Sequence, residues 1–427
     1  MNGTSYQVGT ARIDITPGFP VRLSGYGMRH LEAKGIEQRI WTKAVAICSD
    51  GGSPAVLMTV ENCGVPAAMT EEIAAELNQK AGISRERFVV CSTHTHSAPC
   101  LSGLLPTLFG EPIPDEHQVN IDRYTRDLKS KLGSAALTAL ADLRPATLAW
   151  GEGTVGFASN RRTPGGPVDH VMPILCAMDA DGELRAIFTS YACHCTTLGG
   201  DFNAICGDWA GYAQAYIEAD YPGAVGMVAI GCAGEANPAP RSGLNYAQQH
   251  GHTIAAEVNR LIGSGLTPIH SELNGQIQWI DLPFDTLPPR EEWTDRVRQG
   301  GAIGYHAQMH LDRLNRGEAL QTTLSCPIQI WNFADELAIV FFAGEMVVDY
   351  SIRLKSETSR LWLNAYCNDV PCYIPSKRIL KEGGYEGEGA MIYYDRPTRF
   401  TPAVEDMIIN AVHELLLEVF RVHRSRP

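Results

Sequence analysis

The feature that most constrains the fold is a repeated order of segments: an apolar run rich in β-branched residues, a turn of small or polar residues, and a stretch with helical spacing. "PAVLMTVENCG" (residues 54–64) is typical of a buried strand, and we expect a helix capped near Thr70, with Gly82 as its C-terminal stop, to follow it. "RFVVCST" (residues 87–93) is the next strand. This alternation predicts an α/β (α+β) fold in which helices flank central β-sheets.

The rest of the chain continues the pattern. "VMPILCAM" and "LRAIFTSYAC", joined by "DADGE", are typical of a β-hairpin. A helix over 121–143 is predicted by one apolar stripe of Tyr124, Leu128, Leu132, Ala135 and Ala136. Further strands are predicted at "AVGMVAIG", "GQIQWIDL", "CPIQIWNF", "LAIVFFAG" and "LWLNAYC", and further helices around 246–262, 290–316, 346–357 and 403–420. The last helix is expected to pack on the core through Met407, Ile408, Ala411, Val412, Leu415, Leu416 and Val419.

A proline-rich stretch is the best candidate for an internal boundary. In "DLPFDTLPPREEW" (residues 281–293) the Pro-Pro pair cannot continue a strand and favours an exposed, extended connection. Length alone would allow two or three domains, but one large domain fits as well. We therefore predict a single domain over residues 1–427, with a subdomain boundary near 283–290.

Charge and hydropathy exclude two classes of partner. The formal charge of -13 is spread over the chain without a basic stripe, so a nucleic acid would be repelled. No apolar run reaches the roughly 18 residues of a membrane span. The N-terminal residues "MNGTSYQVGT" lack the pattern of a secretory signal, which predicts a cytoplasmic protein. A homo-oligomer is compatible with these features.

The twelve cysteines lie mostly in or beside apolar runs, as reduced, buried thiols do. Cys193-x-Cys195 is the only tight pair, so a structural zinc ribbon is a weak alternative. Thiol chemistry at Cys193 or Cys195, assisted by His194, is a further alternative that would require an exposed cysteine with a low pKa.

Several potential metal ligands follow predicted strands. In "CSTHTHSAPC" (residues 91–100), His94 and His96 would project from the same face if the segment were a strand. His194 follows "AIFTSYAC", Glu345 follows "LAIVFFAG" and Tyr373 follows "LWLNAYCNDVPC". Taken singly, each has an ordinary structural explanation, such as a buried core histidine or a carboxylate at a helix N-terminus. Together they suggest a site, because loops at strand ends bring distant segments together.

The chain also resembles the neutral/alkaline (non-lysosomal) ceramidase family, with motif blocks in the same order from about residue 8 to about residue 400. These blocks are "GTARIDITPG", "LSGYGMR", "GIEQRIWTKAVAI", "CSTHTHSAP", "ASNRRTP", "CHCTTL", "ICGDWAGYA", "GCAGEANP", "FFAGEM" and "CNDVPCYIPS...YEGEGA". The resemblance implies the family's catalytic-domain fold. It also implies that the chain stops about where that domain ends, without the family's secretion signal or C-terminal immunoglobulin-like domain.

By the same resemblance, one catalytic zinc per chain would be bound by His94, His194, Glu345 and Tyr373. His96 would be an acid/base or substrate-contacting histidine, and Tyr373 would also stabilise the oxyanion. Arg161, in "NRR", would lie near the reacting amide and hold the polar head of the substrate. For the carboxylates that orient the ligand histidines, we name Asp208 and Glu61, although a strand-end acid that caps the next helix would explain Asp208 as well.

The resemblance implies hydrolysis of an amide by a water that zinc activates. Two departures alter the pocket: Asn237 replaces the serine of a G-D-x-S-P-N block, and Ala98 replaces the glycine usual after H-T-H-S. Asn237 is thus a predicted substrate-binding residue.

We therefore expect a zinc-dependent amidohydrolase acting on a small N-acyl or related substrate. The alternatives are a ceramidase proper, a zinc esterase or lactonase, and a catalytically silent ligand-binding homologue.

Overall fold

The structure is a computed structural model that describes residues 5–49 and 51–420. Its strands are, in chain order, β1 (Tyr6–Asp14), β2 (Trp41–Ser49), β3 (Ala55–Val60), β4 (Phe88–Ser92), β5 (Arg144–Thr154), β6 (Ala158–Asn160), β7 (Val171–Asp179), β8 (Leu184–Tyr191), β9 (Val225–Ile230), β10 (Ala236–Pro238), β11 (Thr267–Ile269), β12 (Leu273–Pro283), β13 (Thr323–Phe333), β14 (Leu337–Phe342), β15 (Glu345–Met346), β16 (Leu361–Asn364) and β17 (Tyr373–Ile374). The helices are α1 (Ala67–Ala81), α2 (Asp115–Ala141), α3 (Asp208–Asp220), α4 (Leu244–Ser264), α5 (Arg290–Gln299), α6 (Gly301–Asn315), α7 (Val348–Glu357), α8 (Lys377–Glu382) and α9 (Ala403–Leu415).

Two large sheets form the centre of the fold. The first has the order β4-β3-β2-β1-β5-β7-β8-β9, with β11 paired to β5, and the second has the order β12-β13-β14-β16. Most neighbours are antiparallel, but β3 and β4, β8 and β9, and β14 and β16 are parallel pairs. The expected mixed fold with helix-flanked sheets is confirmed.

The sheets pack face to face because their strands are apolar on both sides. Val45 and Ile47 of β2 and Ile339 and Phe341 of β14 belong to the cluster between the sheets. The alternate residues of the same strands belong to a second cluster, together with apolar residues of α1, α2, α7 and α9. The period of two thus places one set of side chains between the sheets and the other beneath the helices.

The apolar stripe of α2 and the β7–β8 hairpin are present as expected. The start of α1 differs from the prediction that Thr70 caps it: the helix begins at Ala67, and Thr70 is buried within it. The Ala67 backbone N–H instead donates to the carboxylate of Asp369, a residue distant in sequence, at 3.0 Å. Gly82 closes the helix in a left-handed conformation, as expected.

Three other helix boundaries needed correction. The helix expected over 121–143 begins at Asp115, directly after Pro114. The single helix expected over 290–316 is two helices, because Gly300 and Gly301 both have positive φ. The helix expected over 403–420 ends at Leu415, beyond which the chain buries Leu416 and Phe420 and leaves Val419 exposed.

The proline-rich stretch 283–290 connects β12 to α5. It is held against a later part of the chain: Phe284 is buried and stacked on Phe400, with ring centroids 4.8 Å apart. The Asp285 N–H donates to the carbonyl of Arg399. None of the helices in the described part of the chain has the length and apolar character required to cross a membrane.

Candidate active site

The predicted ligands lie on loops at the carboxyl ends of parallel strands. His94 follows β4, His194 follows β8, and Glu345 follows β14. Two short pairings connect these loops: Thr95 bridges Cys195, and Glu345 of β15 pairs in register with Tyr373 of β17. Residues from four separate parts of the sequence are therefore brought to one place by backbone pairing.

The expectation that His94 and His96 share one face of a strand is wrong. Strand β4 ends at Ser92, and His94 has a left-handed backbone with φ of 57°. The two rings nevertheless converge, with their Nε2 atoms 3.1 Å apart. The turn at His94 and the Thr95–Cys195 bridge, rather than strand periodicity, produce this arrangement.

Three buried groups form the centre of the cluster. The Oε2 atom of Glu345 lies 3.0 Å from Nε2 of His194 and 3.3 Å from Nε2 of His94. The hydroxyl oxygen of Tyr373 lies 3.2 Å from Nε2 of His194. All four predicted ligands are thus in one cluster. Even without Tyr373, the two histidines and the glutamate supply converging donor atoms suited to a metal ion.

Backbone carbonyls fix the orientation of both histidines. Nδ1 of His94 lies 2.6 Å from the carbonyl oxygen of Cys63, and Nδ1 of His194 lies 2.7 Å from that of Ala233. A carbonyl only accepts hydrogen bonds, so each Nδ1 carries a proton and donates it. Both Nε2 lone pairs are therefore available to a cation, as in metal sites whose histidines are oriented by a second hydrogen bond.

Two tyrosines that the sequence analysis did not name position Glu345. The Tyr394 hydroxyl donates to Oε1 of the carboxylate, and the Tyr366 hydroxyl donates to Oε2 at 3.4 Å. The Tyr366 ring also packs on the ring of His94, with centroids 4.3 Å apart. These contacts direct Oε2 towards the histidines.

The cluster requires a positive charge. Burial opposes the charged form of His94, yet the Glu345 carboxylate outweighs it and raises the pKa of His94 to about 10. Burial and the nearby Arg161 lower the pKa of His194 to about 4. Burial alone would raise the pKa of Glu345, but the two histidines hold it well below its usual range. Two nitrogen acceptors around one buried carboxylate fit a divalent cation, which takes the place of the proton.

Arg161 joins the cluster to an open cavity. Its Nη2 donates to the Tyr373 hydroxyl at 2.9 Å, its Nε to Oε1 of Glu386 at 2.7 Å, and its Nη1 to Oδ1 of Asn237 at 3.4 Å. Asn237 is placed there because β10 pairs with β6, the strand that precedes Arg161. Arg161 and Asn237 thus lie where the sequence analysis expected substrate-binding residues, beside Tyr373.

His96 differs from the other two histidines in its hydrogen bonding. Its Nδ1 is buried and has no hydrogen-bond partner among the described residues. Burial, and then His94 and His194, lower the pKa of His96 well below its usual value, so the ring is neutral. Gly25 lies against this ring: a Cβ there would be 2.3 Å from Cγ of His96, and the φ of Gly25 is +85°. Only glycine fits at that position.

The cavity has a volume of about 620 Å³. His96 and Tyr373 contribute to its wall, whereas His94, His194 and Glu345 are buried behind it. The described residues that line it are Gly25, Tyr26, His96, Arg161, Arg162, Thr163, Thr196, Asn237, Arg241, Tyr373, Tyr385 and Glu386. A ligand in this cavity would therefore contact the two residues expected to transfer protons or stabilise an oxyanion.

Asp208 and Glu61 do not orient the ligand histidines, so that expectation is corrected. The remote ring nitrogens already donate to the carbonyls of Cys63 and Ala233. Asp208 instead accepts from the N–H groups of Leu198 and Trp209, which holds the loop after His194 to the start of α3. Glu61 accepts from the Trp41 N–H at 2.6 Å, and burial raises its pKa to about 7.

The cysteine alternatives find no support. Cys193 and Cys195 are both buried, and burial raises the pKa of each thiol well above its usual value. Such thiols are poor nucleophiles. In residues 5–49 and 51–420, neither of them belongs to a group of converging ligand atoms.

Several residues of the site were missed by the sequence analysis. Glu386 lies within the quoted block "YEGEGA" and Tyr366 within the predicted strand "LWLNAYC", so both were close to noticed features. Tyr394 carried no signal. The carbonyls of Cys63 and Ala233 could not be found from side-chain types at all, because any residue supplies one.

Comparison with known proteins gives the same picture. Residues 6–230 match the family described as "Neutral/alkaline non-lysosomal ceramidase, N-terminal". The chain is 25% identical over 324 residues to neutral ceramidase of Pseudomonas aeruginosa, a match covering 68% of this chain and 46% of that protein. It is 24% identical over 230 residues to neutral ceramidase A of Dictyostelium discoideum, covering 49% of this chain and 31% of that protein. These matches span less than half the length of either relative.

Solved structures share the fold. The crystal structure of neutral ceramidase from Pseudomonas aeruginosa superposes with a TM-score of 0.75 at 19% identity, covering 98% of this chain and 76% of that one. A second structure, described as ceramidase complexed with C2, gives a TM-score of 0.74 at 17% identity and covers 98% of this chain and 77% of that one. With more than half of its residues matched to the family and the fold shared almost throughout, the chain belongs to the neutral/alkaline non-lysosomal ceramidase family.

Proposed function

We propose that the protein is a zinc-dependent amidohydrolase that cleaves the amide bond of a small N-acyl substrate. The observation that supports this most is the convergence of His94, His194 and Glu345, with Nε2 of both histidines directed at the carboxylate, directly behind a polar cavity. Tyr373 is the fourth proposed ligand. Nitrogen and oxygen donors in this number suit zinc, one ion per chain.

Bound zinc supplies two effects, polarisation of the substrate carbonyl and a lowering of the pKa of water to about 7. The chain supplies the proton transfers. Neutral His96, which lines the cavity, accepts the proton of the attacking water and delivers it to the departing amine. Its low pKa keeps it in the accepting form before the substrate reacts.

Tyr373 and Arg161 act on the developing oxyanion. Burial raises the pKa of Tyr373 well above its usual value even though Arg161 opposes this, so the phenol keeps its proton. Because the hydroxyl oxygen accepts a hydrogen bond from Arg161, its own proton is free to be donated to the carbonyl oxygen of the substrate. Asn237 and Arg161 hold the polar part of the substrate beside it.

Ceramidase proper is the second candidate. The relatives named above are neutral ceramidases, and an apolar surface lies next to the cavity: Met28 and Leu31, on the loop after Tyr26, are 70% and 65% exposed. Against it, the cavity lining contains no Leu, Ile, Val, Met or Phe among residues 5–49 and 51–420. A small polar amide fits that lining better than two acyl chains.

The test is hydrolysis of a panel of N-acyl amides by the zinc-loaded protein, with acyl length and head group varied and the matching esters and ceramides included. We expect release of the amine from short-chain amides, loss of this activity on chelation, and its return on adding zinc. His96→Ala should keep the zinc and lose turnover. If no amide were cleaved by protein that contains one zinc per chain, the protein would be the silent homologue, and cleavage of esters alone would make it an esterase.

A further inference from the structure

The wall of the cavity carries more positive than negative side chains, in a protein whose net charge is -13. Of the residues that the structure describes, three arginines, Arg161, Arg162 and Arg241, line it, and Glu386 is the one carboxylate. Glu386 is shared: Oε1 accepts from Arg161 at 2.7 Å and Oε2 from Arg162 at 2.6 Å. Both oxygens are therefore occupied, and Arg241 is left without an acidic partner in the wall.

Arg241 is held in place by a neutral group only. Its Nη2 donates to the Tyr26 hydroxyl at 3.3 Å, and no carboxylate pairs with its guanidinium in the part of the chain that the structure describes. The backbone beside it is anchored, because the Ser242 N–H donates to the Thr197 carbonyl at 2.7 Å. The remaining guanidinium donors of this exposed side chain are free to meet a ligand.

A further arginine, Arg29, lies behind the cavity wall and adds to the positive charge near the cavity. Arg29 is 4% exposed and stacks on the ring of Tyr26 at 4.7 Å. It donates to the carbonyls of Ser24, His96, Gly199 and Gly200, and within residues 5–49 and 51–420 it has no acidic partner. A guanidinium stays protonated in a protein. The charge of Arg29, which contacts Tyr26 and His96, therefore makes the electrostatic potential of the cavity more positive.

The positions of Tyr26 and His96 determine how far the charge of Arg241 lies from the reacting amide. Tyr26 contacts His96 edge to face, with ring centroids 4.9 Å apart, and its hydroxyl meets Arg241. One phenol side chain therefore separates the proposed proton-transfer residue from Arg241. An anionic group that binds Arg241 must be attached close to the scissile amide.

From this we propose, on the basis of the amidohydrolase function above, that the substrate is an amide carrying a nearby carboxylate, as N-acyl amino acids do, and that Arg241 binds this carboxylate. The planar fork of a guanidinium matches a carboxylate through two parallel hydrogen bonds. In the reaction, water adds to the acyl carbon, the C–N bond breaks, and the amine leaves with the proton from His96. The products are a carboxylic acid and a free amino acid.

The experiment compares an N-acylglycine with the corresponding N-acylglycinamide, which differ only in the charge of the terminal group. The zinc-loaded protein should prefer the N-acylglycine. Arg241→Gln should reduce the ratio of the two kcat/KM values by about 10- to 100-fold, mainly through KM, as expected for a lost charge-assisted hydrogen bond. Arg298→Gln, at an exposed arginine of α5, is the matched control and should leave the ratio unchanged.

A wild-type preference for the glycinamide, an unchanged ratio in Arg241→Gln, or a stronger preference for the phosphonate analogue of the N-acylglycine would each overturn the proposal. Calorimetric titration with the N-acylglycine separates this result from failure of the amidohydrolase function. Binding that depends on Arg241 without any turnover would preserve the carboxylate site and refute the hydrolase. Turnover of neutral amides, with no binding of the N-acylglycine that depends on Arg241, would preserve the hydrolase and refute the carboxylate site.

Discussion

Within the described residues, the protein contains two clusters of two histidines and one carboxylate, and they differ in what neutralises the carboxylate. In the first, Glu345 faces Nε2 of His94 and of His194, and no arginine or lysine of residues 5–49 and 51–420 is bound to it. In the second, His306 and His310 of α6 lie beside Asp395. There both carboxylate oxygens already accept from the guanidinium of Arg313.

The two histidine pairs also differ in which ring nitrogens donate hydrogen bonds to backbone carbonyls. The first pair donates from Nδ1 and directs both Nε2 atoms at Glu345, where a cation can replace the proton. In the second pair, Nε2 of His306 donates to the carbonyl of Arg396 at 3.0 Å, and His310 is stacked on Trp293. A cation there would have to displace both Arg313 and a backbone hydrogen bond. The same residue types are therefore compatible with a metal ion in one place and form a cluster neutralised by an arginine in the other.

The largest expected effect comes from removing one histidine of each cluster. His194→Ala should abolish stoichiometric zinc binding and lower kcat/KM by at least about 10³-fold, because it removes a ligand together with the charge stabilisation that depends on it. His310→Ala should keep one zinc per chain. Metal content by mass spectrometry and amide hydrolysis measure both. Loss of zinc in His310→Ala but not in His194→Ala would reverse the comparison.

The next largest effect should come from Tyr373→Phe. This change keeps the ring and removes the hydroxyl that Arg161 orients, so kcat should fall by about 10²- to 10³-fold, the usual result of losing one oxyanion donor. His94, His194 and Glu345 remain, and most of the zinc should too. Tyr385→Phe, at a second tyrosine in the cavity wall, is the comparison variant. A Tyr373→Phe enzyme with an unchanged kcat would exclude Tyr373 from the chemical step.

A glycine pair tests whether His96 must be held in its observed position. Gly25→Ala would place a methyl group within 2.3 Å of the His96 ring, whereas Gly103→Ala would meet nothing closer than 4.0 Å. Both positions have a similar positive φ, +85° and +86°, so the backbone strain is matched. We expect Gly103→Ala to lose about 1 kcal/mol of stability through backbone strain alone, Gly25→Ala to lose more because its methyl group also displaces His96, and only Gly25→Ala to lose turnover, by about 10-fold or more. Equal losses of turnover would refute the positioning role of Gly25.

The smallest expected effect is on how the free energy of unfolding depends on pH through His306 of the second cluster. Burial lowers the pKa of His306 to about 4, below its usual value of 6.5. Between these values the unfolded chain binds a proton that the folded chain does not, so the free energy of unfolding falls as pH is lowered through this window. In His306→Gln, measured by urea denaturation at several pH values with zinc present, the dependence should be shallower by about one proton. Identical slopes in the two proteins would show that His306 is not held neutral.

The proposed ligands of the first cluster were named from the resemblance to the ceramidase family, and their positions after apolar strands supported that choice. The strands that precede His194, Glu345 and Tyr373 were predictable from their apolar runs, whereas the choice of Tyr373 depended on the resemblance. What could not be predicted was how each group is oriented. The carbonyls of Cys63 and Ala233 belong to the backbone, so residue type gives no indication of their role.

The errors have similar physical causes. Acidic residues near a metal site suggested that Asp208 and Glu61 orient the histidines, but tertiary structure directs both to backbone N–H groups. The break between α5 and α6 was in principle visible in "QGGA", because two adjacent glycines with positive φ end a helix. The cap of α1 was not visible, because the carboxylate that accepts from its N-terminus belongs to Asp369, far along the chain.

The central claim is that the first cluster binds the catalytic cation and the second binds none. Anomalous diffraction at the zinc absorption edge, on crystals of the protein purified with zinc, tests it directly. We expect one strong peak per chain among His94, His194 and Glu345. A peak beside His306, His310 and Asp395 instead, or an absence of signal at the first cluster in zinc-supplied crystals, would contradict the account.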